Sequence, residues 1–196
     1  MSESRYDASH IEVLEGLAAI RKRPGMYIGS TTESGLHRLV DELVGHAIDE
    51  AAGGRAGAVD VTLTADGGVR VADDGRGIPE EDIETALTEV RAGSFNVVGI
   101  CVVNALSRRV EVEVRRDGFR WTQQHERGVP LAPPCRHEQT PDTGTTIAFW
   151  PDPEIFGTAE CSSAALSDRF RELAALDELL TLTLTDERPP RAGRLP

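Results

Sequence analysis

Glu42, His46 and Glu50 recur at every fourth position, the spacing that puts side chains in one line on a helix. A carboxylate beside an imidazole can take a proton from water, so the line is a candidate for general acid–base work. The same spacing serves an ordinary solvated helix face, and spacing alone leaves both readings open. A second cluster, Asp73-Asp74-Gly75-Arg76-Gly77-Ile78-Pro79, sets two carboxylates ahead of glycines that let the backbone turn sharply against a ligand. A carboxylate there can accept a hydrogen bond from an exocyclic amine, or it can cap the helix that follows. Other residues of chemical type read as structural. Cys101 sits in an apolar run, His125 and His137 have no partner at ligand spacing, and Trp121 and Trp150 fall in strand-like segments.

Glu42 and His46 need a helix beneath them, and residues 35–52 supply it: Leu36, Leu39, Val40, Leu43, Val44, Ala47, Ile48 and Ala51 form an apolar stripe, closed by Gly53-Gly54. A shorter helix precedes it, with Ile11, Leu14, Leu17, Ala18 and Ile20 at near-helical spacing and Pro24-Gly25 as its stop. Asp73 lies at the exit of a hairpin in which Val59, Val61 and Leu63 alternate before Asp66-Gly67-Gly68, and Val69 and Val71 after it. Pro79-Glu80-Glu81-Asp82 opens a helix with an acidic first turn, and residues 98–106 form a buried helix. Strands follow at 110–114, 119–124 and 145–150, then a helix at 164–175 and a strand at 180–184. Runs of strands among non-alternating helices predict an α+β fold rather than a doubly wound sheet.

With 196 residues, 39% of them hydrophobic, the chain suits one domain, taken as 1–187, with 1–24 as an N-terminal arm and first helix and 188–196 as a loose Pro- and Arg-rich tail. No run approaches eighteen apolar residues and the first ten lack the apolar core of a signal peptide, which predicts a cytoplasmic protein without a membrane partner. Cys101, Cys135 and Cys161 are too widely spaced for a zinc knuckle or a redox pair, so no metal ligand set is assigned. A formal charge of −12 opposes direct contact with nucleic acid.

Several ordered segments resemble the ATPase domain of the gyrase B and topoisomerase IV proteins, within the GHKL or Bergerat-fold ATPases. They are Tyr6-Asp7, the stretch from Ile11 to Leu17, Arg21-Lys22-Arg23-Pro24-Gly25-Met26-Tyr27-Ile28-Gly29, Gly35-Leu36-His37, and Ala47-Ile48-Asp49-Glu50-Ala51. Asp73 to Pro79, Val102-Val103-Asn104-Ala105-Leu106-Ser107, Gly128-Val129-Pro130, Thr143-Gly144-Thr145 and Phe149-Trp150-Pro151 extend the match. The resemblance implies a two-layer sandwich, a mixed sheet covered by helices on one face, binding ATP or ADP. By it, Asp73 binds the adenine amino group, Thr145 assists through a water, and Gly77, Ile78 and Pro79 line the base pocket with Val44 and Val71. Arg76 would pair with Glu50 at the mouth, and Glu42 would be the general base. It also implies a possible homodimer through the arm at Tyr6 and Ile11.

The pattern breaks at the phosphate end. Where the family has a magnesium-coordinating asparagine the chain has His46, preceded by Gly45 in place of an aspartate, and an imidazole is a poor substitute for a hard oxygen ligand. Arg38 replaces the histidine that orients the glutamate, so that partner is expected to be missing. Only Ser94-Phe95-Asn96-Val97-Val98 separate Gly93 from Gly99. Five residues span at most about 18 Å, too little to fold over a nucleotide as the family's lid does. A trimmed loop would leave its flanks intact, whereas Arg38, Gly45 and His46 differ as well, which favours a naturally diverged relative. Two functions follow: weak nucleotide binding with impaired or absent hydrolysis, or a pocket recruited to a non-nucleotide small molecule, an antibiotic included, with Glu42 and His46 as catalytic or binding groups.

Overall fold

The structure, a computed structural model of the chain, describes residues 16–52, 57–90, 99–175 and 180–189. The arm at Tyr6 and Ile11, Gly53-Gly54, the connector at 94–98 and most of the tail lie outside the described residues. Three helices come first, α1 (Gly16–Lys22), α2 (Gly25–Ile28) and α3 (Glu33–Ala52). Pro24-Gly25 therefore ends one helix and begins another, because proline's fixed φ suits a first helical turn as well as a break. The hairpin β1 (Gly57–Leu63) and β2 (Val69–Asp73) follows. A 3₁₀ turn then leads into α4 (Ile83–Thr88), and α5 (Ile100–Leu106) runs directly into β3 (Ser107–Arg116). Next come β4 (Phe119–Glu126), β5 (Val129–Pro130), β6 (Cys135–Gln139) and β7 (Gly144–Pro151). The described chain closes with α6 (Pro153–Phe156), α7 (Ser163–Ala174) and β8 (Leu180–Asp186).

The strands form one mixed sheet in the order β5-β4-β3-β7-β2-β1-β8, with β6 also on β4; among the described residues only β1 and β8 pair in parallel. Period-two alternation fixes its two faces. Val59, Val61, Val69, Val71, Val110, Val112, Val114, Ile147 and Phe149 are buried, while Asp60, Arg70, Glu111 and Glu113 keep access to solvent. Helices α3 and α5 pack on this sheet, and Leu36, Leu39, Val40, Leu43, Val44 and Ala47 of α3 are all at most 2% exposed. Each large aliphatic side chain so buried contributes about 1.5–3 kcal/mol. The α+β expectation is met by this sheet and its helices. Strand β6 carries no apolar alternation, since it is an exposed edge, and for that reason no sequence pattern marks it.

One buried polar join ties α4, α5 and β4 together. Asn104 Nδ2 donates to the Leu87 carbonyl at 2.9 Å and to His125 Nδ1 at 3.1 Å, both side chains being fully buried. An imidazole that accepts from an amide must be neutral at that nitrogen, and burial does push the His125 pKa below its ordinary value, against the opposing pull of Glu84. Cys101 and Cys161 are buried thiols whose pKa burial raises, that of Cys161 to about 12, in keeping with inert core residues.

Candidate nucleotide site

Asp73 ends β2 and is 8% exposed. Its Oδ1 accepts from the Gly75 N–H at 2.9 Å and from the Thr145 N–H at 3.2 Å, so the carboxylate is held by its own turn and by the neighbouring strand β7. The close approach of the strands depends on Gly144, whose φ is 131° and where a Cβ would lie 2.0 Å from the Asp73 carbonyl oxygen. Thr145 is 1% exposed and its Oγ1 has no hydrogen-bond partner among the described residues. A buried hydroxyl beside a fixed carboxylate is a donor and acceptor set suited to an amino-purine edge and a bridging water. Val44, Val71, Ile78 and Gly77 are buried and Pro79 is half-buried. Asp74 serves structure instead, accepting from the Ala58 N–H at 2.8 Å.

On α3 a cleft of about 330 Å³ is lined by Arg38, Asp41, Glu42, His46, Ile100 and Arg169 among others. Glu42 is buried, and Arg38, one turn before it, binds its Oε1 at 3.2 Å. The histidine expected to be missing beside Glu42 is replaced by Arg38, which makes an i,i+4 ion pair with it. Asp41 has its pKa raised by burial, against the opposing charges of Arg169, Arg38 and His37. His46 is half-buried with Nε2 lacking a partner among the described residues. A Cβ added at Gly45 would meet nothing within 4 Å, so this helix position is open space. His46 and Gly45 offer no oxygen ligand here, and of the three carboxylates that line the cleft, Asp41, Glu42 and Asp49, Glu42 is bound by Arg38. The Glu50 side chain lies outside the described residues, and with it the pairing with Arg76.

A sheet covered on one face by helices, with a buried carboxylate at a strand end beside a glycine turn, defines a nucleotide-binding class of fold. Residues 31–155 match the family model described as histidine kinase-, DNA gyrase B-, and HSP90-like ATPase, and the chain belongs to this family. It is 51% identical to the DNA gyrase B of Streptomyces coelicolor, over 95% of this chain and 30% of that protein. It is 52% identical to the novobiocin-sensitive DNA gyrase B of Streptomyces niveus, over 93% of this chain and 30% of the relative. With the Mycobacterium tuberculosis DNA gyrase B it shares 45% identity, over 95% of the chain and 30% of the relative. The chain therefore spans about 30% of the length of these relatives and carries a DNA gyrase B-like ATPase domain. Among the described residues, no helix is long and apolar enough to cross a membrane.

Proposed function

We propose that the domain is a nucleotide-binding module that holds the adenine of ATP or ADP weakly through Asp73 and hydrolyses it slowly or not at all. The observation that carries this reading is the buried Asp73 carboxylate, fixed by two backbone N–H groups beside the Thr145 hydroxyl, which has no partner among the described residues. Such a group would accept the exocyclic amine without reorganising, with the buried Val44, Val71 and Ile78 as its proposed apolar walls. Hydrolysis needs the phosphate chain and a water positioned together, which Arg38 opposes by occupying Oε1 of Glu42. The 207 aligned positions shared with the Streptomyces coelicolor protein exceed the 196 residues of this chain, so the relative has residues in this span that the chain lacks. That deficit supports a shortened lid. By calorimetry ADP is expected to bind with the same affinity, within about twofold, in magnesium and in a chelator, because no oxygen cage links metal to site. Tight ATP binding that requires magnesium, accompanied by turnover, would falsify the proposal.

A second reading is favoured by His46, whose buried Nε2 has no partner among the described residues, and by the open position at Gly45. In it the α3 cleft takes a non-nucleotide small molecule. Relatives named for sensitivity and for resistance to novobiocin make that antibiotic a sensible first probe. Here His46→Ala is expected to weaken novobiocin binding by about tenfold, the usual effect of one lost hydrogen bond to a partly buried group. Equal affinity for the variant and the parent removes this reading.

A further inference from the structure

The turn that carries the base pocket is gripped from the opposite hairpin. Arg116 is the last residue of β3, and its Nη1 donates to the Gly77 carbonyl at 2.6 Å. Its Nε donates to Asp117 Oδ2 at 3.2 Å, so the guanidinium is held at two edges while its side chain remains 31% exposed. The neighbouring residue grips the same glycine from behind. Gly77 has φ 78°, and a Cβ there would lie 2.8 Å from the Arg115 carbonyl oxygen and 3.2 Å from that of Gly144. Backbone packing from β3 and β7 and a charged donor on the carbonyl thus converge on one residue, between the fixed Asp73 and Pro79.

We propose that Arg116 is a positioning residue of the base pocket, setting the Gly75 to Pro79 turn through the Gly77 carbonyl. The role in binding rests on the nucleotide reading above, while the clamp itself stands on the contacts alone. A glycine-bearing loop at the surface is ordinarily mobile, and ordering it on binding costs affinity. A charge-assisted hydrogen bond is about twice as strong as a neutral one, so Arg116 orders the turn before any ligand arrives. That matters most in a chain with only five residues between Gly93 and Gly99, where no long lid can close over a ligand and add contacts of its own.

The test combines amide hydrogen exchange of residues 75–78 with calorimetry using adenosine, which lacks phosphates and so reads the base pocket alone. Arg116→Ala is expected to speed exchange in this turn and to raise the adenosine Kd, each by about tenfold, the loss of one hydrogen bond to a charged donor. Arg116→Lys should recover part of both, since an ammonium still donates to a carbonyl. Arg120→Ala removes an equal charge from the next strand, where Arg120 pairs with Glu113 and Glu138, and should change neither. Should Arg116→Ala not fold, Asp117→Asn, which loosens only the second hold on the guanidinium, is measured instead and should give a smaller rise in both. Unchanged exchange at 75–78 overturns the clamp, and faster exchange with unaltered adenosine affinity overturns the positioning role. A parent chain that binds no adenosine sinks the nucleotide reading, and exchange then decides the clamp by itself.

Discussion

Asp73→Asn is expected to abolish measurable adenosine and ADP binding while leaving the thermal midpoint almost unchanged. The asparagine oxygen can still accept from the Gly75 and Thr145 N–H groups, so the contacts that tie β2 to β7 survive the substitution. The other half of the group changes from an acceptor to a donor, and it then faces the amino group of the ring. Losing a charged acceptor and setting two donors against each other costs about 3 kcal/mol, roughly a hundredfold or more in Kd. From the weak starting affinity proposed above, that would place the complex beyond calorimetric range. Binding that survives within a few-fold would mean the ligand does not enter by Asp73.

On the nucleotide reading proposed above, the base end and the phosphate end of the site would have diverged unequally, and the physical reason lies in what each must hold. A base needs a fixed acceptor, a hydroxyl and apolar walls, and the strand ends provide these from backbone geometry that Gly144 and Gly77 allow. A triphosphate needs mobile donors and a metal, and on that reading the arginine bound to Glu42 and the imidazole at His46 would replace neither.

Much of this was legible in the chain. The stripe from Leu36 to Ala47 identified α3, and alternation identified β1 and β2, because burial of one face imposes a period that the order of residues displays. Asp73, Gly77 and Thr145 were singled out through resemblance to a family motif, and in the structure the Thr145 N–H donates to Asp73. What escaped were the pairings between distant residues. Arg116 with Gly77 and Asn104 with His125 are separated by 39 and 21 positions, and no local period announces them. Strand β6 and the single turn α6 escaped for another reason: too few buried side chains to leave a pattern, although Asp152-Pro153 is a helix-start signal.

Asp152→Ala is expected to be the most destabilising single change on the helical side of the fold. Its side chain is fully buried, accepts from Arg21 Nη2 at 2.6 Å and from the Glu154 N–H at 3.0 Å, capping α6 as it does so, and forms an ion pair with Arg127 Nε at 3.0 Å. Arg21 also donates to the Ala105 carbonyl, so this one carboxylate fastens α1 to α5 and to the end of β7. Burial acts to raise the Asp152 pKa, but the Arg21 hydrogen bond, the Glu154 amide and both guanidinium charges outweigh it and hold it below the ordinary carboxylate range. Breaking a fully buried pair costs about 3–5 kcal/mol; both arginines keep contact with water, which reduces the figure to about 3 kcal/mol even with the lost cap included. For a domain of this size that is a fall of roughly 6–12 °C in Tm. Because the folded pKa is depressed, the contribution is complete above the unfolded value of about 3.9 and disappears as pH falls through the folded one. Urea denaturation of the parent and the variant at pH 7 and again below pH 3 should therefore show the gap between them closing in acid. A difference under about 1 kcal/mol at pH 7 would show that α1 is held by its apolar contacts and not by this ion pair.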